Sequence, residues 1–135
     1  YYEWFIAILL AFMLYIYILM IAWNSGIKLS IPGMLSPALG LFFYYLGILM
    51  ENAKRNWFIG IRTPWTLSHD GVWERTHKIG GKLLKIAGII AVFGVFMEEK
   101  AVLLIIVPIV IALFYSVIYS YWLYRKIEKG EAKEF

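Results

Sequence analysis

WFIAILLAFMLYIYILMIAW, Trp4 to Trp23, decides the class of fold. A helix needs about 20 apolar residues to cross ~30 Å of hydrocarbon. These 20 carry no charge. A tryptophan stands at each end, where aromatic rings favour the two bilayer interfaces. The run reads as a transmembrane helix. No basic region precedes it and no A-x-A-like cleavage site follows it, so it reads as a retained span and not a signal peptide.

Working outward, three more spans follow. Asn24-Ser25-Gly26 breaks the apolar pattern, and Ile31-Pro32-Gly33 is a turn signal. The second span runs from about Leu35 to Met50, with Pro37 in its first turn, where a missing N–H does least harm. The third covers 79–97 and includes Lys82 and Lys85, whose long stems can snorkel to the headgroups. The fourth, Ala101 to Leu123, carries Pro108, which predicts a kink. Only Glu98-Glu99-Lys100 separates spans three and four, which predicts a tight antiparallel hairpin. Gly40 and Gly47 are seven apart, as are Gly81 and Gly88. Small residues so placed let helices approach closely in lipid, and they make self-association possible. The expected fold is all-α: a single polytopic membrane domain over 1–135, four helices in a bundle, with a motif loop at 51–82.

Composition agrees. The chain is 62% hydrophobic with mean hydropathy +0.73, above the roughly half expected of a soluble domain. A core this small cannot hide that much apolar surface, so the solvent is lipid. The net charge of +4 does not point to nucleic acid, because the basic residues flank the spans. Lys54, Arg55, Arg62, Arg75, Lys78 and Lys82 lie between spans two and three, and Arg125, Lys126, Lys129 and Lys133 follow span four. The opposite loops hold only Lys28 and Lys100. The positive-inside rule then places the middle segment and both termini in the cytoplasm. The charged tail from Arg125 to Phe135 is expected to fray. With no cysteine, disulfides, thiolate metal sites and a Cys nucleophile are excluded.

One segment is unlike the rest: NWFIGIRTPWTLSHDGVWERTHKIGGK, Asn56 to Lys82. Thr63 before Pro64 is biased to an extended backbone. Ser68 fits an N-cap, with His69 and Asp70 at the helix start. Val72, Trp73, Thr76 and His77 then share one helix face, and Glu74 pairs with Lys78 at i,i+4. This predicts a short amphipathic helix at the membrane surface, feeding into the third span.

Its polar residues suggest chemistry only weakly. His69, Asp70, Glu74 and His77 are of metal-ligating type, and Glu74 and His77 have the i,i+3 spacing of di-metal helices, but such sites need further carboxylates from facing helices, and the spans offer none. No metal or cofactor is expected. Ser68 or Thr66 can be drawn against His77 as nucleophile and base, yet no G-x-S-x-G surrounds them. Gly80-Gly81-Lys82 lacks the other residues of a phosphate loop. The chain does not read as an enzyme. Coupled transport usually requires an ionisable group within the spans, and only Lys82 and Lys85 qualify. A small transporter or channel subunit remains the alternative, and a membrane-embedded enzyme using Arg62 and His77 a third class.

Interfacial anchoring accounts for single tryptophans. It does not account for the order Asn56, Phe58, Gly60, Arg62, Thr63, Pro64, Trp65, Thr66, Ser68, then Trp73, Thr76, His77, Gly80 and Gly81. That mixture of glycine, proline, capping hydroxyls and planar donors suits a specific folded surface. Over the 27 residues from Asn56 to Lys82 it resembles the signature of the SdpI/YfhL family of bacterial and archaeal membrane proteins. With its flanking spans the family region would cover roughly Leu35 to Leu123. The resemblance implies an integral membrane protein of the cytoplasmic membrane with a cytoplasmic motif between two spans. It implies immunity to a secreted, membrane-active peptide toxin and, for some members, capture of a small winged-helix repressor at the membrane. This chain is shorter than the family's longer immunity proteins. Two mechanisms fit. The bundle could bind the toxin in the bilayer, with Tyr44, Tyr45, Tyr115, Tyr119 and Tyr121 as hydrogen-bonding groups. Alternatively, the motif could dock a protein partner, with Arg62 and Trp65 as anchors. Against these stand simple helix packing for the tyrosines and, for Arg62, a role in holding the motif's own fold.

Overall fold

A computed structural model describes residues 2–131. Among the described residues all regular structure is helical: α1 Tyr2–Asn24, α2 Ile31–Asn52, α3 Pro64–Ser68, α4 Asp70–Val92 and α5 Ala101–Glu128. All but the short α3 are long and apolar enough to cross a membrane, and the chain is a multi-pass membrane protein. The four long helices alternate in direction. The ends of α2 and α5 and the starts of α1 and α4 therefore gather at one pole, hereafter the motif end.

The boundaries follow local chemistry. Past α1, Gly26 takes φ +91°, and the amides of Gly26 and Ile27 reach back to the carbonyls of Trp23 and Ala22. This is the glycine-stopped helix end in which two orphan carbonyls are satisfied. Ser30 caps α2, its Oγ accepting from the Gly33 amide at 3.3 Å. Ile31-Pro32-Gly33, expected as a turn, is thus the first turn of the helix, and Pro37 lies inside it. The reason is that Pro is as acceptable in a first turn as in a loop, and the preceding serine decides between them.

The short helix of the middle segment is α3, while the amphipathic face at 72–77 forms the first turns of α4 itself. Ser68 does not cap α4. It ends α3, and its Oγ donates to the Pro64 carbonyl at 2.7 Å. His69 takes the cap position with an extended backbone and no side-chain cap bond. At the far pole two 3-10 turns, Phe93–Phe96 and Glu98–Lys100, turn the chain directly into α5, with Glu98 at φ +50°. This is the tight hairpin that the sequence predicts. α5 continues to Glu128, so residues 125–128 are helical and not frayed. The end of the tail, 132–135, lies outside the described residues.

The bundle is built on the α2–α4 pair. Gly40 faces Gly88 and Gly47 faces Gly81, so closely that an added Cβ at Gly40 would lie 2.5 Å from the Gly88 carbonyl oxygen. At Gly47 it would lie 2.6 Å from that of Gly81. Lipid supplies no hydrophobic drive between helices, so backbone proximity and interhelical hydrogen bonds must hold them. Ser36 adds one such bond, from its Oγ to the Ala91 carbonyl. The small-residue faces are therefore used within the chain. Lys85, expected to reach the headgroups, bonds Glu51 of α2 at 2.9 Å instead. α5 packs on α4 through Ala112, Ser116, Ser120, Leu123 and Ile127. Among the described helices, α1 packs against α2 alone. Phe12 stacks on Phe42 at 5.3 Å, and the Tyr15 hydroxyl donates to the Met34 carbonyl at 2.7 Å.

Candidate functional site

The motif end is organised around two buried side chains of α4. Trp73 donates from Nε1 to the Ala53 carbonyl at 2.9 Å, tying the start of α4 to the end of α2. His77 stacks on Trp73 with ring centroids 3.9 Å apart. Its Nδ1 lies 2.8 Å from the Trp73 carbonyl, and its Nε2 accepts from the Ile61 amide at 2.9 Å. An amide can donate only to an unprotonated nitrogen, so the proton sits on Nδ1 and the imidazole is neutral. Both ring nitrogens are occupied by backbone.

Glycine is required where the loop crosses this ring. Gly60 has φ +111°, and a Cβ there would collide with Nε2 of His77. The chain then enters α3 through a reciprocal cap. Thr63 Oγ1 accepts from the Thr66 amide at 3.3 Å, and the Thr63 amide donates to Thr66 Oγ1 at 2.9 Å. Pro64 stands in the first turn, where no amide is needed. Thr66 is fully buried, and its hydroxyl also meets the Ile61 carbonyl at 2.8 Å. Ile61 thus joins the two buried groups, its amide on His77 and its carbonyl on Thr66. The nucleophile–base pairing that can be drawn between Thr66 and His77 is replaced by this bridge, and Ser68 faces Pro64.

Trp65 fastens α3 to the bundle. Its Nε1 donates to Ser120 Oγ at 2.8 Å, and its ring meets Tyr121 edge-on at 5.2 Å. Behind it Val72, Leu123 and Ile127 form the small core of this pole. Thr76 is fully buried with its hydroxyl unpartnered. Gly80 and Gly81 are not part of the surface. Gly80 lies against Met50 and Ser116, and Gly81 against Gly47 and Glu51.

The remaining motif residues face outward. Asn56 Oδ1 accepts from the amides of Phe58 and Ile59 at 2.8 and 2.7 Å, while its Nδ2 donates to the Lys54 carbonyl. The exposed Arg62 guanidinium donates to the Trp57 carbonyl. Together they hold a turn whose tip, Trp57-Phe58-Ile59, is open on all three side chains. Beside it a cavity of about 520 Å³ is lined by Phe5, Leu46, Leu49, Leu84, Ile59 and Gly60 among others.

The residues of metal-ligating type in the motif diverge. Glu74 is exposed on Lys78 at 2.6 Å, Asp70 pairs with Arg55 at 3.1 Å, and His77 is buried. Among the described residues no three His, Asp or Glu side chains gather. Sequence reasoning missed Ala53, Ile61 and Ser120 as partners. The first two act through backbone, which no side-chain pattern reports. The Ser116–Ser120 pair at i,i+4 in an otherwise apolar run was a usable signal for the third.

Comparison with known proteins follows this geometry. The model of the SdpI/YfhL protein family matches residues 52–120, from the end of α2 through the motif and α4 into α5. Immunity protein SdpI of Bacillus subtilis (strain 168) is 35% identical over 105 residues, which cover 77% of this chain and 51% of that protein. The chain thus spans about half the length of this curated relative. No solved structure matches it. On the family match and the motif it contains, the chain belongs to the SdpI/YfhL protein family.

Proposed function

We propose that this protein confers immunity to a secreted, membrane-active peptide toxin, with the motif end and both termini in the cytoplasm. The similarity to a protein named for immunity carries this reading, since the matched stretch contains the whole motif. The orientation rests on the basic residues of the middle segment and the tail. The motif residues act as a unit: Thr66, Trp73 and His77 fix the fold of the pole, and Asn56, Phe58 and Arg62 are what it presents. Against transport, the cavity beside the tip and a second of about 300 Å³ between α4 and α5 have largely apolar walls. Asn52 and Asn56 are the polar side chains in the lining of the larger, and Tyr115 in that of the smaller. The exposed polar edge of the pole, apart from the apolar tip, suits docking of a cytoplasmic regulator as a second activity. Arg62 on that edge is the type of residue that anchors interfaces.

Survival of a toxin-sensitive bacterium expressing the protein, with membrane potential followed by dye, tests the immunity reading. Arg62→Ala and His77→Ala are compared with wild type at equal membrane levels. Protection by wild type, lost in both variants, is the expected result. Protection kept by both variants would move the mechanism into the bundle. Failure of well-expressed wild type to protect overturns immunity to that toxin.

A further inference from the structure

We infer that the Trp57-Phe58-Ile59 tip is a membrane-dipping wedge, which inserts among the lipid chains of the leaflet at the motif end. Three neighbouring large apolar side chains are 71%, 87% and 58% exposed. In water such an arrangement is unfavourable, and a flexible loop would fold it away. This loop does the opposite. Asn56 bonds the amides of Phe58 and Ile59, Arg62 holds the Trp57 carbonyl, and the left-handed Gly60 seats the following residue on His77. Four polar backbone groups are used to keep three apolar side chains pointing outward.

The occupant follows from position. Ile59 shares the wall of the 520 Å³ cavity with Phe5, in the first turns of α1, and with Leu46 and Leu49 of α2. Phe5 opens α1, and Leu46 and Leu49 lie in the last two turns of α2, so the tip sits level with the ends of the spans. From there it can continue the apolar surface that the spans offer to lipid. Lys54, Arg55 and Arg62 lie next to it in sequence and are exposed, which suits anionic or zwitterionic phosphates at the level above the chains. Aromatic side chains also favour this depth. A water-facing docking loop would carry its apolar tip away from the spans and would not share their cavity.

The chain contains no cysteine, so single labels need no background removal. Phe58→Cys carries a nitroxide in protein reconstituted into phosphatidylcholine–phosphatidylglycerol vesicles. Collision with oxygen, which concentrates in lipid, is compared with collision with a water-soluble nickel chelate. Leu10→Cys, exposed midway along α1, is the lipid reference, and Lys129→Cys, beyond the end of α5, is the aqueous one. The expected oxygen-to-nickel ratio for position 58 lies above that of Lys129→Cys and shifts toward that of Leu10→Cys. A ratio equal to the aqueous reference overturns the wedge. So does a label shielded from both reagents, which would mean that protein covers the tip. Trp57→Cys is measured in parallel, so that local disturbance at one position cannot decide the result. The readout uses no toxin, so its failure is distinct from failure of the immunity reading.

Discussion

α1 and α4 are both 23 residues long, yet they are held in opposite ways. Only 6% of the apolar window of α1 is buried inside the protein, against 39% for α4. α1 is nevertheless the more hydrophobic. The trend extends to the other spans: the two most apolar helices, α1 and α5, are the least buried. In water the order would be reversed. In lipid an apolar side chain loses nothing by facing outward, so greasiness assigns a helix to the bilayer and glycine, serine and paired charge assign it to a neighbour. α4 carries Gly80, Gly81, Gly88, His77 and Lys85, and each of them meets another part of the chain. α1 meets α2 through aromatic rings and one tyrosine hydroxyl.

The contrast can be broken hardest at the glycine seam. Gly88→Ala puts a Cβ 2.5 Å from the Gly40 carbonyl oxygen and 2.8 Å from the Tyr44 amide nitrogen, both rigid backbone. A loss of about 3 kcal/mol is expected, the upper end for overpacking, read by denaturant unfolding in micelles. Unchanged stability would mean that α2 and α4 do not meet backbone to backbone at this seam.

Next comes the Glu51–Lys85 pair, whose side chains are 21% and 25% exposed. Glu51→Leu leaves an unpartnered ammonium between helices, and a loss of about 2 kcal/mol is expected, reduced from the fully buried case by residual exposure. The double variant Glu51→Leu with Lys85→Met should recover most of that loss, because two desolvated charges are removed together. A double variant as weak as the single would show that the pair also fixes register.

At the motif end, Trp65→Phe removes the bond to Ser120 and shrinks the indole to a phenyl ring, for a loss of at least about 1 kcal/mol. Faster hydrogen exchange should be confined to 61–69, since Trp73 and His77 hold α4 independently. The smallest effect belongs to α1. Leu10→Ala, on a side chain 64% exposed to lipid, should change stability by less than about 0.5 kcal/mol. A cost as large as that at Gly88 would place another surface against α1 and undo the comparison.

Much of this was legible beforehand. Trp4 to Trp23 and Ala101 to Leu123 announce their spans through uninterrupted apolar length, and the single short charged turn at 98–100 announces the hairpin. The seven-residue glycine spacing correctly marked close-packing faces on α2 and α4. Some positions misled, two of them for local reasons. Pro32-Gly33 reads equally well as turn or first turn, and Ser30 resolves it only once the Gly33 amide is seen on its hydroxyl. Ser68 has the composition of a cap, but its hydroxyl is taken by the Pro64 carbonyl one turn back.

Local sequence determined the number of spans, the faces that close on one another, and a motif too specific for anchoring alone. Those properties depend on side-chain type at fixed spacing, and helical geometry repeats them wherever the helix goes. Which glycine meets which depended on the bundle, as did the neutrality of His77 and the exposure of the 57–59 tip. The partners in those cases are backbone atoms of distant segments: the Gly88 and Gly81 carbonyls, the Ile61 amide, the Ala53 carbonyl. Every residue but proline carries the same amide, so no sequence pattern marks the one that will be used. Only the packed chain selects it.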